Sequence, residues 1–463
     1  MKTLKCILAA AVLLSLHGLC FAGATVLAPV QSPSPECKAP KIIVIADGTT
    51  DIPGKHGVKF SNLAAAFNSD SNVAFVVIDP VTQNLTGIYL FHGKKIVTVA
   101  DMDTFVPGSR EKFTDLNSPT IGGSNVAFTG KSASVEGIYL YNGKKILTVV
   151  DTNTKIPGSG DKFIKPDYPA INNDGKVVFC EVDPVSYNPI GVYLYNGKKI
   201  VTIADKNTAV PKTAETFEGV SYPSINGDYV AFPGNSATTN GIYVFNGKKL
   251  LAAVDSNTRV PGSQDKFGGF SFYGQEPVAG NVAFIGYGAA SEGVYLYRNE
   301  VRKVVKVADT NTTIPGSRAK FIDFDSPLAS GDYVVFTAKD KSYDTTGIYF
   351  FDGRRLKIVA DTKTNIPGTS IKFSQMSLAQ ISGENVAFFT VDAHFNVTGI
   401  YLFRSRNSYE GRDLFTVADL NTIVPGSRDK YTVLSFPSID DTRVVFTGGA
   451  VGMDGVYLYT QQY

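Results

Sequence analysis

The chain has 463 residues, with 44 Lys and Arg against 42 Asp and Glu and a net charge of +2. That near-neutral balance leaves no electrostatic footprint for nucleic acid or for an anionic membrane surface, and neither is expected as a partner. Beyond the first two dozen residues no apolar run is long enough for a transmembrane helix, so membrane insertion is not expected either.

Residues 1–24 read as a signal peptide. Lys2 and Lys5 give a charged start, residues 6–16 an apolar run too short to span a bilayer comfortably, and Ala22 or Ala24 a small residue for cleavage. The reading implies export, to a periplasm or outside the cell. Leu19 stands before Cys20 where a lipidation signal needs a small residue, so lipidation is not expected. Residues 25–40, with Gln31-Ser-Pro-Ser-Pro35, read as a flexible leader. The mature chain would keep only Cys37 and Cys180, which excludes a disulfide framework, and their places at opposite ends of strands argue against pairing. Cys180, after Val-Val-Phe, is expected to be a small buried apolar side chain.

From residue 41 to residue 463 one pattern is written eight times, at intervals of 50 to 58 residues. Each copy has a Val-(Ala/Val)-Phe core, opened by Val73, Val126, Val177, Val230, Val282, Val334, Val386 and Val444. Each then has a Gly-(Ile/Val)-Tyr core, at Gly87, Gly137, Gly191, Gly241, Gly293, Gly347, Gly399 and Gly455. In the third copy Tyr168-Pro-Ala-Ile171, Lys176-Val-Val-Phe179, Gly191-Val-Tyr-Leu-Tyr195 and Lys199-Ile-Val-Thr-Ile203 read as four short strands rich in residues that suit a pleated surface. Asn196-Gly197 between the last two predicts a two-residue hairpin. Lys198 and Lys199 then open the outermost strand, where lysine discourages edge pairing. In Gly-Ile-Tyr-Leu-Tyr the aliphatic residues face one way and the tyrosines the other, so both faces of the sheet need covering.

A period of this size with several strands per copy predicts an all-β fold, an eight-bladed β-propeller of four-stranded blades. The copies are out of phase with the chain ends. Ile42-Ile-Val-Ile45 matches a fourth strand and Val456-Tyr-Leu-Tyr459 a third, so the N-terminal strand is expected to complete the last blade and close the ring. The succession of a short Pro-containing strand, an (Ala/Val)-Phe strand, an Ile-Tyr strand and an outer strand resembles the repeats of exported TolB-like and WD-repeat-like propellers. Where those repeats often carry Ser-Pro-Asp-Gly, this chain has Ile225-Asn-Gly-Asp228 or Ile381-Ser-Gly-Glu384. The resemblance implies architecture, and no partner or functional residue.

Each copy also carries an Asp followed six residues later by Pro, with the aspartates at Asp47, Asp101, Asp151, Asp205, Asp255, Asp309, Asp361 and Asp419. Asp151-Thr-Asn-Thr-Lys-Ile-Pro-Gly158 resembles the opening of a calcium loop, but Thr49 and Lys363 replace the third residue elsewhere and no acid recurs to close a coordination sphere. These aspartates are expected to be structural turn residues that accept backbone hydrogen bonds. The following Lys-Phe pair, as in Lys112-Phe113, is expected to pack its ring on its own blade. His56, His92 and His394 are scattered without ligand spacing, and no nucleophile elbow or phosphate loop appears, so no catalytic residue, metal site or cofactor is expected.

The copies differ most in the loops between second and third strands, and loops held by a rigid scaffold are where recognition concentrates. Tyr187, Tyr287, Tyr343 and Phe395 are the candidate binding residues there. Residues 404–412 form an irregular hairpin with clustered arginine on the other face. The leading reading is an exported, monomeric, non-enzymatic scaffold recognising a protein or a glycan through the variable-loop face. The alternatives are a polysaccharide hydrolase or lyase with a carboxylate site at the channel, and a structural envelope or matrix protein.

Overall fold

The computed structural model describes residues 41–274, 276–289, 291–341, 346–405 and 413–460. The proposed signal peptide and leader, Cys37, Tyr343 and most of the residue 404–412 hairpin lie outside the described residues.

The described residues form eight antiparallel sheets arranged as the blades of a β-propeller. The third blade is representative: Pro166–Ile171, Val177–Val182, Pro189–Tyr195 and Ile200–Asp205 pair in sequence order as a meander, close to the segments read from its residues. In the eighth blade the strand order runs from Lys41–Asp47 to Met453–Thr460 and Arg443–Ala450, so the N-terminal strand supplies the outer strand of the last blade. Its register shifts between Val44 and Ala46, the same irregularity that Val192/Tyr193 shows against the outer strand of blade 3. The terminal strand is therefore a true equivalent of the other outer strands.

Eight hydrophobic clusters fill the eight spaces between blades. Between blades 1 and 2, Ala74, Val76, Ile88 and Leu90 from the first blade meet Phe113, Phe128 and Tyr139 from the second. The alternation in the third strands produces this directly: Ile and Leu cover the next blade, and the tyrosine covers the previous one. The phenylalanine of the Lys-Phe pair, Phe217 after Thr216 in blade 4, or Tyr431 in the last blade, meets the tyrosine of its own blade edge to face, with centroids 4.8 to 5.2 Å apart and planes at 80 to 89°. Each such pair adds about 0.5–1.5 kcal/mol beyond area burial. The repeated ring thus packs on its own blade, as the sequence pattern suggested, and joins the cluster shared with the previous blade. Gly-x-Tyr has a steric reason: a Cβ on Gly191 would come within 2.7 Å of the Tyr193 ring, which folds back over it.

The hairpins between third and fourth strands differ from the Asn-Gly reading by one residue. The Asn196 N–H donates to the Lys199 carbonyl at 3.1 Å, so Gly197 and Lys198 are the central pair. Gly197 has φ +90° while Asn196 and Lys198 keep negative φ, the pattern of a turn with glycine first. Asn196 flanks the turn, its Oδ1 accepting from the Lys198 and Lys199 N–H groups at 3.1 Å each. Its hydrogen bonding makes asparagine useful here, and glycine alone takes the left-handed conformation.

Inner strands are interrupted at proline, which cannot donate to the ladder. In blade 3 the register shifts between Asp167 and Ala170, and in blade 4 the strand is split into Gly219–Val220 and Ser224–Asn226 around Pro223. The turns that follow these strands join into a hydrogen-bonded belt. Ser69 Oγ accepts from the Gly123 N–H (2.9 Å), Asn125 Nδ2 donates to the Asn173 carbonyl (3.0 Å), and Asn172 Nδ2 donates to the Gly227 carbonyl (2.7 Å). Asn226 Nδ2 donates to Glu276 Oε2 (2.9 Å), and Asn281 Nδ2 to Asp332 Oδ1 (3.1 Å). Ser330 and Ser382 accept from the Gly383 and Asp441 N–H groups (2.9 Å each), and Ser438 donates to Asn68 Oδ1 (2.8 Å), which completes the circle.

Deleting residues 41–47 should lower the urea midpoint far beyond the roughly 0.5 kcal/mol of an ordinary surface change, because it opens the ring and uncovers the cluster around Ile45 and Ala46. A midpoint equal to that of the intact chain would mean that this strand does not carry closure.

Candidate functional site

A four-stranded meander places its two hairpin turns at one end, and its second-to-third loops and the connections between blades at the other. The exposed large apolar side chains follow this division. Val81, Phe105, Ile164, Val185, Tyr187, Ile371, Phe395, Ile423 and Val451 all lie on the loop face. In the hairpin turns Val301 is their one counterpart among the described residues.

The loops that carry them are held by aspartate. Asp183 Oδ1 accepts from the Val185 and Ser186 N–H groups at 3.1 and 2.6 Å, and Asp79 from those of Val81 and Thr82 at 2.9 and 2.7 Å. Asp392 does the same for His394 and Asn396 at 2.8 and 2.9 Å. The Ser186 N–H holds the Asp183 carboxyl below its ordinary range, and the Asn396 side chain does so for Asp392. Tyr187 (φ +58°) and Phe395 (φ +65°) sit in the left-handed region, which bulky residues seldom occupy. They are 60% and 81% exposed, so core packing does not explain either ring. The Lys165 ammonium stands 4.3 Å from the Tyr187 centroid. Tyr287 is less exposed, and its hydroxyl is 3.0 Å from the Ser271 hydroxyl. Tyr187, Tyr287 and Phe395 belong to blades 3, 5 and 7, so they share a face but are spread round the rim. Tyr343 lies outside the described residues.

The eight turn aspartates share one arrangement. Asp151 Oδ1 accepts from the Asn153 N–H (3.0 Å) and the Thr154 hydroxyl (2.7 Å), while the Asp151 N–H donates to Thr154 Oγ1 (3.1 Å). Asp47 and Asp419, at the two ends of the ring, repeat it with Thr50 and Thr422. These oxygens are occupied by the chain itself. Among the described residues no group of three His, Cys, Asp or Glu is placed to hold a metal ion. Cys180 is free and fully buried, and burial pushes its thiol up.

The channel carries an asymmetry that the repeat conceals. At the residue before the inner-strand proline, or its counterpart, the copies read Ala65, Ser118, Tyr168, Tyr222, Glu276, Ser326, Leu378 and Phe436. Tyr222 and Phe436 are 47% and 54% exposed, each in the break that splits the innermost strand of its blade. Glu276 keeps Asn226 as its hydrogen-bond donor, and burial, reinforced by Asp440, pushes its carboxyl up to about 8. Asp440 is also raised by burial, with Arg443 at 3.5 Å opposing the shift. None of these residues stood out in the sequence. Aligning the eight copies on the inner proline is the signal that would have found them.

On the hairpin face a groove of about 660 Å³ lies between blades 5, 6 and 7. Several of its polar groups are paired within it: Arg298 with Asp332 at 3.1 Å, Lys357 with Asp352 at 3.4 Å, and the Tyr333 hydroxyl with Glu384 at 2.5 Å. It braces neighbouring blades.

The raised Glu276 gives a pH prediction. Folding favours its acid form, so that contribution to stability is fully present below about 4.5 and is lost as pH rises through about 8. Glu276→Gln should therefore gain thermal stability over the wild type across that window. Parallel melting curves for the two proteins would show that Glu276 is not perturbed.

No curated protein matches the chain. Among solved structures it is similar to a prolyl endopeptidase at 11% identity, covering 84% of this chain and 54% of that one, with a TM-score of 0.46. The chain thus spans about half the length of that enzyme. It is also similar to the β-propeller domain of the Trilobed protease from Pyrococcus furiosus, at 12% identity over 76% of this chain and 98% of that one, TM-score 0.42. A further likeness is to oligogalacturonate lyase from Vibrio parahaemolyticus, at 12% identity over 92% and 97%, TM-score 0.42. The model of a family of unknown function, DUF7453, matches residues 39–236 and 230–398, and this repeat-bearing chain belongs to that family.

Proposed function

We propose that the protein is an exported recognition propeller that binds a protein partner through its loop face. The observation that carries this reading is the gathering of exposed apolar and aromatic side chains on one face, on loops already fixed by Asp79, Asp183 and Asp392. Loops ordered before binding lose less entropy when they dock. Exposed tips that are aliphatic as well as aromatic, such as Val81, Val185 and Val451, suit a protein surface better than the flat platform a sugar ring needs.

The test is capture of partners from the extracellular or envelope fraction of the source cells, beside a glycan array, with wild type and a Tyr187→Ala, Phe395→Ala double variant. Saturable protein binding weakened by about tenfold or more in the double variant is expected, since exposed aromatic anchors dominate such interfaces. Binding that the variant retains in full would remove this face from the reading, and glycan capture would replace the partner class. The channel carboxyls Glu276 and Asp440 are the feature that favours a hydrolase or lyase instead. Turnover of a polysaccharide panel that Glu276→Gln abolishes would establish that reading over the first.

A further inference from the structure

The outer turns of the hairpin face carry an unbroken run of cations. Each turn joins the third strand of its blade to the fourth, and blades 1 to 4 place Lys94-Lys95, Lys144-Lys145, Lys198-Lys199 and Lys248-Lys249 there. Blades 5 and 6 change the residue and keep the charge, with Arg302-Lys303 and Arg354-Arg355. Lys41 opens the outer strand of blade 8 at the same end, so the run passes from blade 8 through blade 1 to blade 6. All these side chains are exposed, and among the described residues none of their charged ends is in an ion pair or a hydrogen bond. On the loop face several cations are met: Lys55 by Asp101 at 2.9 Å, Lys112 by Asp103 at 3.0 Å and Lys339 by Asp323 at 3.0 Å.

Acids do not cancel the run. Those of the inner turns are occupied beside the channel, Asp228 by Lys176, Asp332 by Arg298 at 3.1 Å and Asp70 by Asn173 Nδ2 at 2.6 Å. In the outer turns of blades 1 to 6 the acids are Glu300 and Asp352, and Asp352 is held by Lys357 at 3.4 Å. The near-neutral balance of the whole chain therefore averages over a strongly basic rim. Protection of a strand edge accounts for one cation of a pair at most, because the first stands in the turn itself, as Lys198 does beside Gly197. Like charges gathered on one rim repel each other, so the fold itself does not profit from them.

We propose that this rim docks the protein on the surface of an anionic lipid bilayer. The outer turns all end on one side of the ring, where a flat anionic surface meets every one of them, whereas a single extended polyanion would follow only part of the arc. Val301 is the one exposed large apolar side chain in the hairpin turns among the described residues, so attachment is electrostatic and nothing inserts. Docking turns the opposite face, with Tyr187 and Phe395, away from the lipid.

The experiment is co-sedimentation of residues 25–463, which keep every described residue, with vesicles of phosphatidylcholine alone or with about 30% phosphatidylglycerol. Retention on dextran sulfate is measured beside it. Saturable binding to the anionic vesicles only is expected, and it should be lost when salt rises from about 0.1 M to about 1 M, as the screening length falls from about 10 to about 3 Å. Lys144→Glu, Lys198→Glu and Lys248→Glu together should weaken it by about tenfold or more. Lys155→Glu, Lys206→Glu and Lys363→Glu make the same charge change among exposed loop-face lysines and should leave it within about twofold. All six side chains are exposed, so both variants should keep the wild-type circular dichroism, and the pair separates the rim from net charge. No binding to anionic vesicles, equal binding to neutral ones, or equal loss in the two variants would each overturn the proposal. Retention on dextran sulfate without vesicle binding would replace the bilayer by an anionic polysaccharide.

Discussion

Each blade has an aliphatic face and an aromatic face, and neither is covered by any element of the blade itself. The aliphatic side of Ile88 and Leu90 finds the aromatic side carrying Phe113, Phe128 and Tyr139, and the same directed contact recurs until Val445 and Leu458 of the eighth blade meet Phe60, Phe75 and Tyr89 of the first. An open arc would leave one aromatic and one aliphatic surface in water, each contiguous and large enough to promote association. Closure is therefore a requirement of the pattern, and the N-terminal strand is the element that completes it.

The belt of turns on the inner rim acts in the same direction by a different interaction. Hydrophobic contact between blades is not directional, whereas a serine or asparagine that must meet one backbone group on the next turn fixes how far each blade rotates. Most of these polar groups are buried, so a blade slipped by one residue would leave them without partners. The residues differ from turn to turn while the contact persists, which is why the belt has no signature in the repeat.

Regularity and variation divide the molecule between them. The turn aspartates and the Gly-x-Tyr cores recur because each blade has the same packing problem to solve. Departures occur where that problem does not apply: at the loop tips, where Tyr187 and Phe395 face solvent, and before the inner-strand proline, where Tyr222 and Phe436 are exposed. The two positions belong to separate surfaces, and a ligand at one need not touch the other.

Much of the architecture was legible in the residues. Blade number, strand order, the phase that makes the N-terminal strand an outer strand, and the buried state of Cys180 all follow from local periodicity, since a strand's faces are set by alternation and a hairpin by its neighbours. The turn aspartates were legible for the same reason, because their partners lie within three residues. The candidate site was legible only in part: Tyr187 and Phe395 could be named, as exposed rings on variable loops, but not their left-handed backbone. The channel wall was decided by tertiary structure alone. Tyr168 meets Tyr222, Asn226 meets Glu276, and Glu276 feels Asp440 only because the packing of blades into a ring brings together residues that stand about 50 to 160 positions apart in the chain, a distance over which no local pattern carries information.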